Sequence, residues 1–213
     1  KGGEWDLLYE KAPIPTAHLW SAAEEAENPY FLLQFHDTLR PEQRKGAETR
    51  GIVFLHYIPV HAYIVRMEPL RRRGVEALPF VRAMEPFQPG YKIDPQLGLR
   101  EFQDPERRQS GKIRAVVSLF SGETVEEAAF RIGALAGVTV MEASAPFGLA
   151  RLRVEAPSIA AFYAVARVPA VQWMEEEGEA TLRNDEAHWV TQTNVSADKK
   201  IWGKGLHGES QFI

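Results

Sequence analysis

The 213-residue sequence contains no cysteine, which excludes a disulfide framework and any thiolate metal site. It has no uninterrupted apolar run of the roughly eighteen residues that a membrane-crossing helix needs, so no membrane partner is expected. Positive charge is not in surplus: 25 Lys and Arg stand against 29 Asp and Glu, a formal net charge of -4. A nucleic-acid partner, which would want a basic face, is therefore not expected either. No Gly-x-Ser-x-Gly elbow and no HExxH pair occurs, and no serine, histidine and carboxylate form a recognisable triad. No catalytic residue, cofactor or metal is accordingly expected. His36, His56 and His61 fall in one stretch, but without zinc-site spacing they read as strand-edge histidines. What remains, at 45% hydrophobic and 25% charged residues, is globular material sufficient for one large or two small domains.

The order of elements repeats. Tyr30 to His36 (YFLLQFH) reads as a strand from its aromatic and apolar density. Pro41 and Gly51 bracket a helix over 41–50 with a poor apolar face. Ile52 to Ile58 and Ala62 to Glu68 form a hairpin. Pro69 opens a helix with Leu70, Val75 and Leu78 as its buried stripe, and Phe80 to Phe87 is a fourth strand. The second half copies this. Ile113 to Phe120 is a strand, and Thr124 with Glu127 forms a capping box for a helix with Val125, Ala128, Ile132 and Leu135 on one face. Val138 to Ala145 and Leu149 to Glu155 form a hairpin, Pro157 opens a helix with Ile159, Phe162 and Val165 inward, and Ala170 to Glu177 closes the sheet. Residues match as well as order: Pro79 and Met84 recur as Pro169 and Met174, 90 residues on. A period of that length means duplicated domains rather than a solenoid.

The expected class is α+β, two tandem ferredoxin-like βαββαβ modules, each a four-stranded antiparallel sheet with two helices on one face. The boundaries are an N-terminal arm at 1–27, a first module at 28–98, a linker at 99–111 (LREFQDPERRQSG), a second module at 112–178, and a tail at 179–213. Both sheet faces read as apolar in each module: Val116, Phe120 and Met141 alternate with Ala115, Val117 and Val140. A half-exposed antiparallel sheet should show polar residues in one set, so a partner or the other module is expected to cover the open faces. Val116, Phe120, Met141, Glu175 and Glu177 are the partner-facing candidates. The carboxylates at 175–177 and 179 fit a solvated strand end or caps for helix N-termini of a partner. Arg71 to Arg73 read as a solvated helix face.

The last twenty residues, NVSADKKIWGKGLHGESQFI, carry a resemblance. Ile201-Trp202, Gly205-Leu206, Gly208 and Gln211-Phe212-Ile213 resemble the lead-in to the first buried strand of subtilisin-like serine proteases. Asn184-Asp185 with Ala187 and Val190 is similar to the mature N-terminus in a secreted bacterial branch, and residues 28–178 look like that branch's tandem prodomain modules. Glu209-Ser210 departs from the family, which usually has a second glycine there. The resemblance implies a propeptide acting as intramolecular chaperone and inhibitor of a secreted protease domain in cis. The expectation is that Ile213 cuts the first catalytic-domain strand short. It also implies that Glu179, Ala180, Thr181, Leu182 and Arg183 lie extended in the protease cleft, with processing between Arg183 and Asn184. The rival reading is a regulatory pair of ferredoxin-like domains binding a ligand in a polar, glycine-lined pocket between modules.

Overall fold

The computed structural model describes residues 14–179, 189–190, 193–196, 198 and 200–206. Two compact units follow one another, 1–177 and 178–213. In the first unit the order is α1 (Ala22–Glu27), β1 (Tyr30–Phe35), α2 (Pro41–Glu48), β2 (Val53–Ile58), β3 (Ala62–Arg66), α3 (Arg72–Glu76) and β4 (Val81–Pro86). Then come α4 (Pro105–Ser110), β5 (Ile113–Leu119), α5 (Val125–Gly133), β6 (Thr139–Ser144), β7 (Arg151–Ala156), α6 (Ile159–Ala166) and β8 (Val171–Glu176). The strands form two antiparallel sheets, ordered β2-β3-β1-β4 and β6-β7-β5-β8.

The copies agree in detail. The register slips between Gln34 and Phe35 in the first sheet and between Ser118 and Leu119 in the second, and again at Phe54/His56 and Val140/Glu142. Gly51 and Gly137 hold the same left-handed turn, with φ of 84° and 75°, a region closed to most side chains. Each sheet buries one face under its helices. Phe31, Leu33, Val65 and Met84 pack on Ala47 and Val75, while Val117, Leu152, Val154 and Met174 pack on Ala128, Ile132, Phe162 and Val165.

Several local expectations fail for physical reasons. Leu70 is 97% exposed, because Pro69–Arg71 is a tighter 3-10 turn whose three-residue period swings it off the stripe that Val75 occupies. Thr124 is the N-cap of α5 but makes no side-chain cap bond, and Glu127 pairs instead with Arg131 one turn on. Helix α6 starts after Ser158 rather than at Pro157. The charged stretch 99–111 holds a helix, capped by Asp104 accepting from Glu106 N–H and closed by Gly111 in left-handed conformation.

The described part of the arm, from residue 14, contacts both copies. Trp20 Nε1 donates to Phe87 O at 2.9 Å. Glu25 pairs with Arg72 of α3 at 2.6 Å and Glu24 with Arg167, just past α6, also at 2.6 Å. Hydrogen bonds from Arg167, with help from Ser21, hold the Glu24 carboxyl down at about 2. Residues 89–98 run along the second copy: Ile93 bridges Met174 in parallel, Asp94 N–H donates to Met174 O at 2.9 Å, Gly98 N–H donates to Glu176 Oε2 at 2.8 Å, and Leu97 joins the second core.

The unit 178–213 has little regular structure among its described residues: Trp189 and Val190 in a helical turn, turns stitched by Thr193 and Asp198 N–H groups, and the short helix α7 (Lys200–Gly203). Val190, Val195, Ile201, Trp202 and Leu206 are all exposed there.

Candidate functional site

What distinguishes the two copies is the sheet face away from the helices. In the first sheet, alternation places Tyr30 and Leu32 of β1 and Ile64 of β3 on that face, and with Phe87 they form a second buried cluster. Phe120, at the end of the second sheet's central strand, closes over it, stacked on Tyr30 at 3.8 Å between ring centroids and edge-on to Phe87 at 5.6 Å. Tyr30 hydroxyl donates to Glu123; burial and that carboxylate raise its pKa. An apolar groove of about 360 Å³ remains beside this contact, lined by Leu32, Ile58, Ile64, Phe87, Tyr91 and Trp173.

The equivalent face of the second sheet meets the first copy at the end that carries Phe120 and Trp173; the rest of it is lined mostly by polar side chains, so the expected second apolar face is absent. Three cross-strand rows follow from the register. Thr139, Glu155 and Arg114 form one; Glu142, Arg153, Val116 and Glu175 the next; Ser144, Arg151, Ser118 and Trp173 the third. Charges are paired within the face. Arg153 lies 2.9 Å from Glu142 and 2.7 Å from Glu177, and Glu155 accepts from Lys112 at 2.7 Å and Arg114 at 2.9 Å, bonds that depress its pKa, Lys112 first. Such a face is largely charged, with Val116 on the central strand and Trp173 on the edge strand half-buried within it.

The residues singled out by sequence divide accordingly. Val116 and Glu175 are neighbours on this face. Met141, 43% exposed, sits in the β6 bulge, out of the alternation. Glu177 carries the face into the exit strand: its N–H donates to Arg114 O at 2.9 Å. Phe120 is fully buried within the chain and is not partner-facing. Glu179 is half-buried, whereas 180–184, with the proposed processing bond, lie outside the described residues. His36 and His56 are exposed and His61 half-buried, and no three His, Cys, Asp or Glu among the described residues are placed to hold a metal ion. Sequence reading missed Arg114, Arg153 and Trp173. The polar–apolar alternation of Arg151 to Ala156 was the available signal, since it marks a strand with one wet face.

Residues 1–88, the arm and the whole first copy, match a family described as a domain of unknown function (DUF8729). No curated protein and no solved structure matches the chain.

Proposed function

We propose that this chain is the proregion of a secreted subtilisin-like serine endopeptidase, an intramolecular chaperone and inhibitor built from two tandem ferredoxin-like modules, with no catalytic group of its own. The observation that carries the reading is the asymmetry between the copies. The first spends its helix-free face on the second, while the second keeps most of its own face, beyond the Trp173 end, free of the first beside the strand, β8, that runs directly into the tail. The sheet orders, with a helix after the first and third strand of each copy, support the ferredoxin-like assignment. A largely charged face with half-buried apolar residues within it suits a partner surface. Five exposed apolar side chains in the described part of 178–213 support its resemblance to the opening of a larger domain, where they would be covered. The rival ligand-binding pair asks for a polar, glycine-lined pocket between copies; the groove beside Phe120 is lined mainly by apolar side chains, and neither it nor the smaller cleft by Tyr30 and Glu123 has a glycine in its described lining.

In this scheme the catalytic domain docks on the face around Val116 and Trp173. Glu179 to Arg183 leaves β8 extended and adds as a strand to the substrate cleft, with Arg183 before the scissile bond. Tethering holds the inhibitor at an effective concentration on the order of millimolar; against a nanomolar-class contact this favours the blocked state by roughly 8 kcal/mol. Cutting after Arg183 breaks no contact. It removes the tether, so inhibition becomes dilutable and degradation of the freed modules makes activation irreversible. The test is the N-terminal sequence of the mature enzyme released from the precursor. It should begin at Asn184. A start inside either module would make the second module part of the enzyme and overturn the reading.

A further inference from the structure

A cavity of about 570 Å³ opens where three parts of the first unit meet: the arm turn around Pro15 and His18, the connector 90–99, and the second copy at Ile113 and α6. Each wall is fastened. Arg167 Nη1 donates to Ala17 O at 3.3 Å and ties the arm turn to the end of α6, while Asp94 N–H donates to Met174 O at 2.9 Å and ties the connector to β8. Arm and connector touch at Gly90, where a Cβ would lie 2.5 Å from Ile14 Cγ2, so the two walls meet there only because the residue has no side chain.

The lining is mainly aliphatic. Ile93, Ile113 and Ile159 are half-buried, packed against the second core without being enclosed by it, and Leu99 is 76% exposed. The His18 and Tyr163 rings, 4.0 Å between centroids, add an aromatic pair. Neither the imidazole nor the Tyr163 hydroxyl has a hydrogen-bond partner among the described residues. Asp94 contributes the one carboxylate of the described lining. One of its oxygens accepts from Gln96 N–H at 2.9 Å, and no lysine or arginine of the described lining stands by to neutralise it. Apolar walls with a few polar groups, in a volume of this order, are the usual composition of a small-molecule site.

We infer that this cavity binds a small molecule with an apolar body and a single cationic group, an arylalkyl amine being the simplest case. The aliphatic walls take the body, the His18 and Tyr163 rings take its aromatic face, and Asp94 takes the ammonium in a charge-assisted hydrogen bond. Because arm, connector and second copy all contribute, an occupant holds the arm against the second copy and stabilises the folded chain by mass action. The inference is independent of the protease reading.

The probe is tryptamine, added to the full chain carrying labelled isoleucine methyl groups. It should shift the Ile93, Ile113 and Ile159 signals saturably, with a Kd on the order of millimolar, and raise Tm with concentration. Indole-3-propionate, the same ring with the opposite charge, should bind at least about tenfold more weakly, the worth of one charge-assisted contact. Asp94→Asn keeps an oxygen to accept from Gln96 N–H and should weaken tryptamine by a similar factor. Absence of saturable shifts up to the solubility limit of tryptamine would overturn the proposal. So would equal binding of the two indoles, undiminished binding to Asp94→Asn, or shifts confined to Ile58 and Ile64, which would put the ligand in the groove beside Phe87. Contacts to the three methyl groups from another part of the chain, seen before tryptamine is added, would overturn it too, because the cavity would then be filled in cis.

Discussion

Phe120→Ala should cost about 3–5 kcal/mol of stability, the range for truncating a fully buried phenylalanine. The loss should fall on the coupling between the two copies rather than inside either. Phe120 is 0% exposed, held by its N–H to Ala170 O at 2.9 Å, and the rings it touches, Tyr30 and Phe87, belong to the first sheet. A half of about 70 residues buries only roughly 60% of its chain surface and is marginal alone. The single unfolding transition should therefore drop by more than 10 °C or split in two. Phe130→Ala is the control: at 79% exposure it should stay within about 0.5 kcal/mol of the parent. Equal losses for the two variants, seen by calorimetry, would mean that the copies are not joined through Phe120.

Lys92→Met should stabilise the chain at pH 6 by about 2 kcal/mol or more, and the advantage should vanish or reverse near pH 10. Burial pushes the Lys92 ammonium down to about 7 from the ordinary 10.5, with Glu123 opposing in part. The unfolded chain thus binds more protons between those values, and stability rises with pH across that window. Below about pH 7 lysine is charged in both states and the whole penalty is present, at most about 5 kcal/mol from the pKa difference. Methionine has similar length and no charge. It forfeits the bond to Pro169 O, at a cost of about 1–3 kcal/mol, whereas Val168 O keeps the bond from Val171 N–H. Near pH 10 the native lysine is neutral and little penalty remains, so the lost carbonyl bond decides. Urea unfolding at both pH values measures this. A variant less stable at pH 6 would show that the carbonyls and the Trp20 ring, 5.0 Å from Nζ, sustain the charge.

Strands were the legible part of this fold, because a two-residue period survives in short segments, and the repeat doubled each signal. Helix detail was less so. Leu70 has the right residue type and spacing for a buried stripe, yet local 3-10 geometry at Pro69 decides its direction. The second sheet's open face was misread for a related reason: Met141 sits in a bulge, which breaks the alternation on which the reading relied, and Arg114 and Arg153 on either side of Val116 carry the true character of that face. Phe120 and Lys92 were beyond sequence. A terminal strand aromatic looks the same whether a partner or the chain's other half covers it, and a lysine is expected at the surface. The exit strand was read in place, since connectivity alone puts Glu175 and Glu177 there, but Glu176 is not part of a solvated strand end: it is buried and accepts from Gly98 N–H.

The central claim is inhibition in cis, and its most direct measurement is a titration of the purified chain into the separately produced catalytic domain of its precursor, with a chromogenic peptide as reporter. The account predicts saturable loss of activity at near-stoichiometric, nanomolar-class concentrations, with no hydrolysis by the chain alone. An enzyme left fully active at micromolar excess of the chain, or a chain that cleaves the peptide by itself, would contradict it.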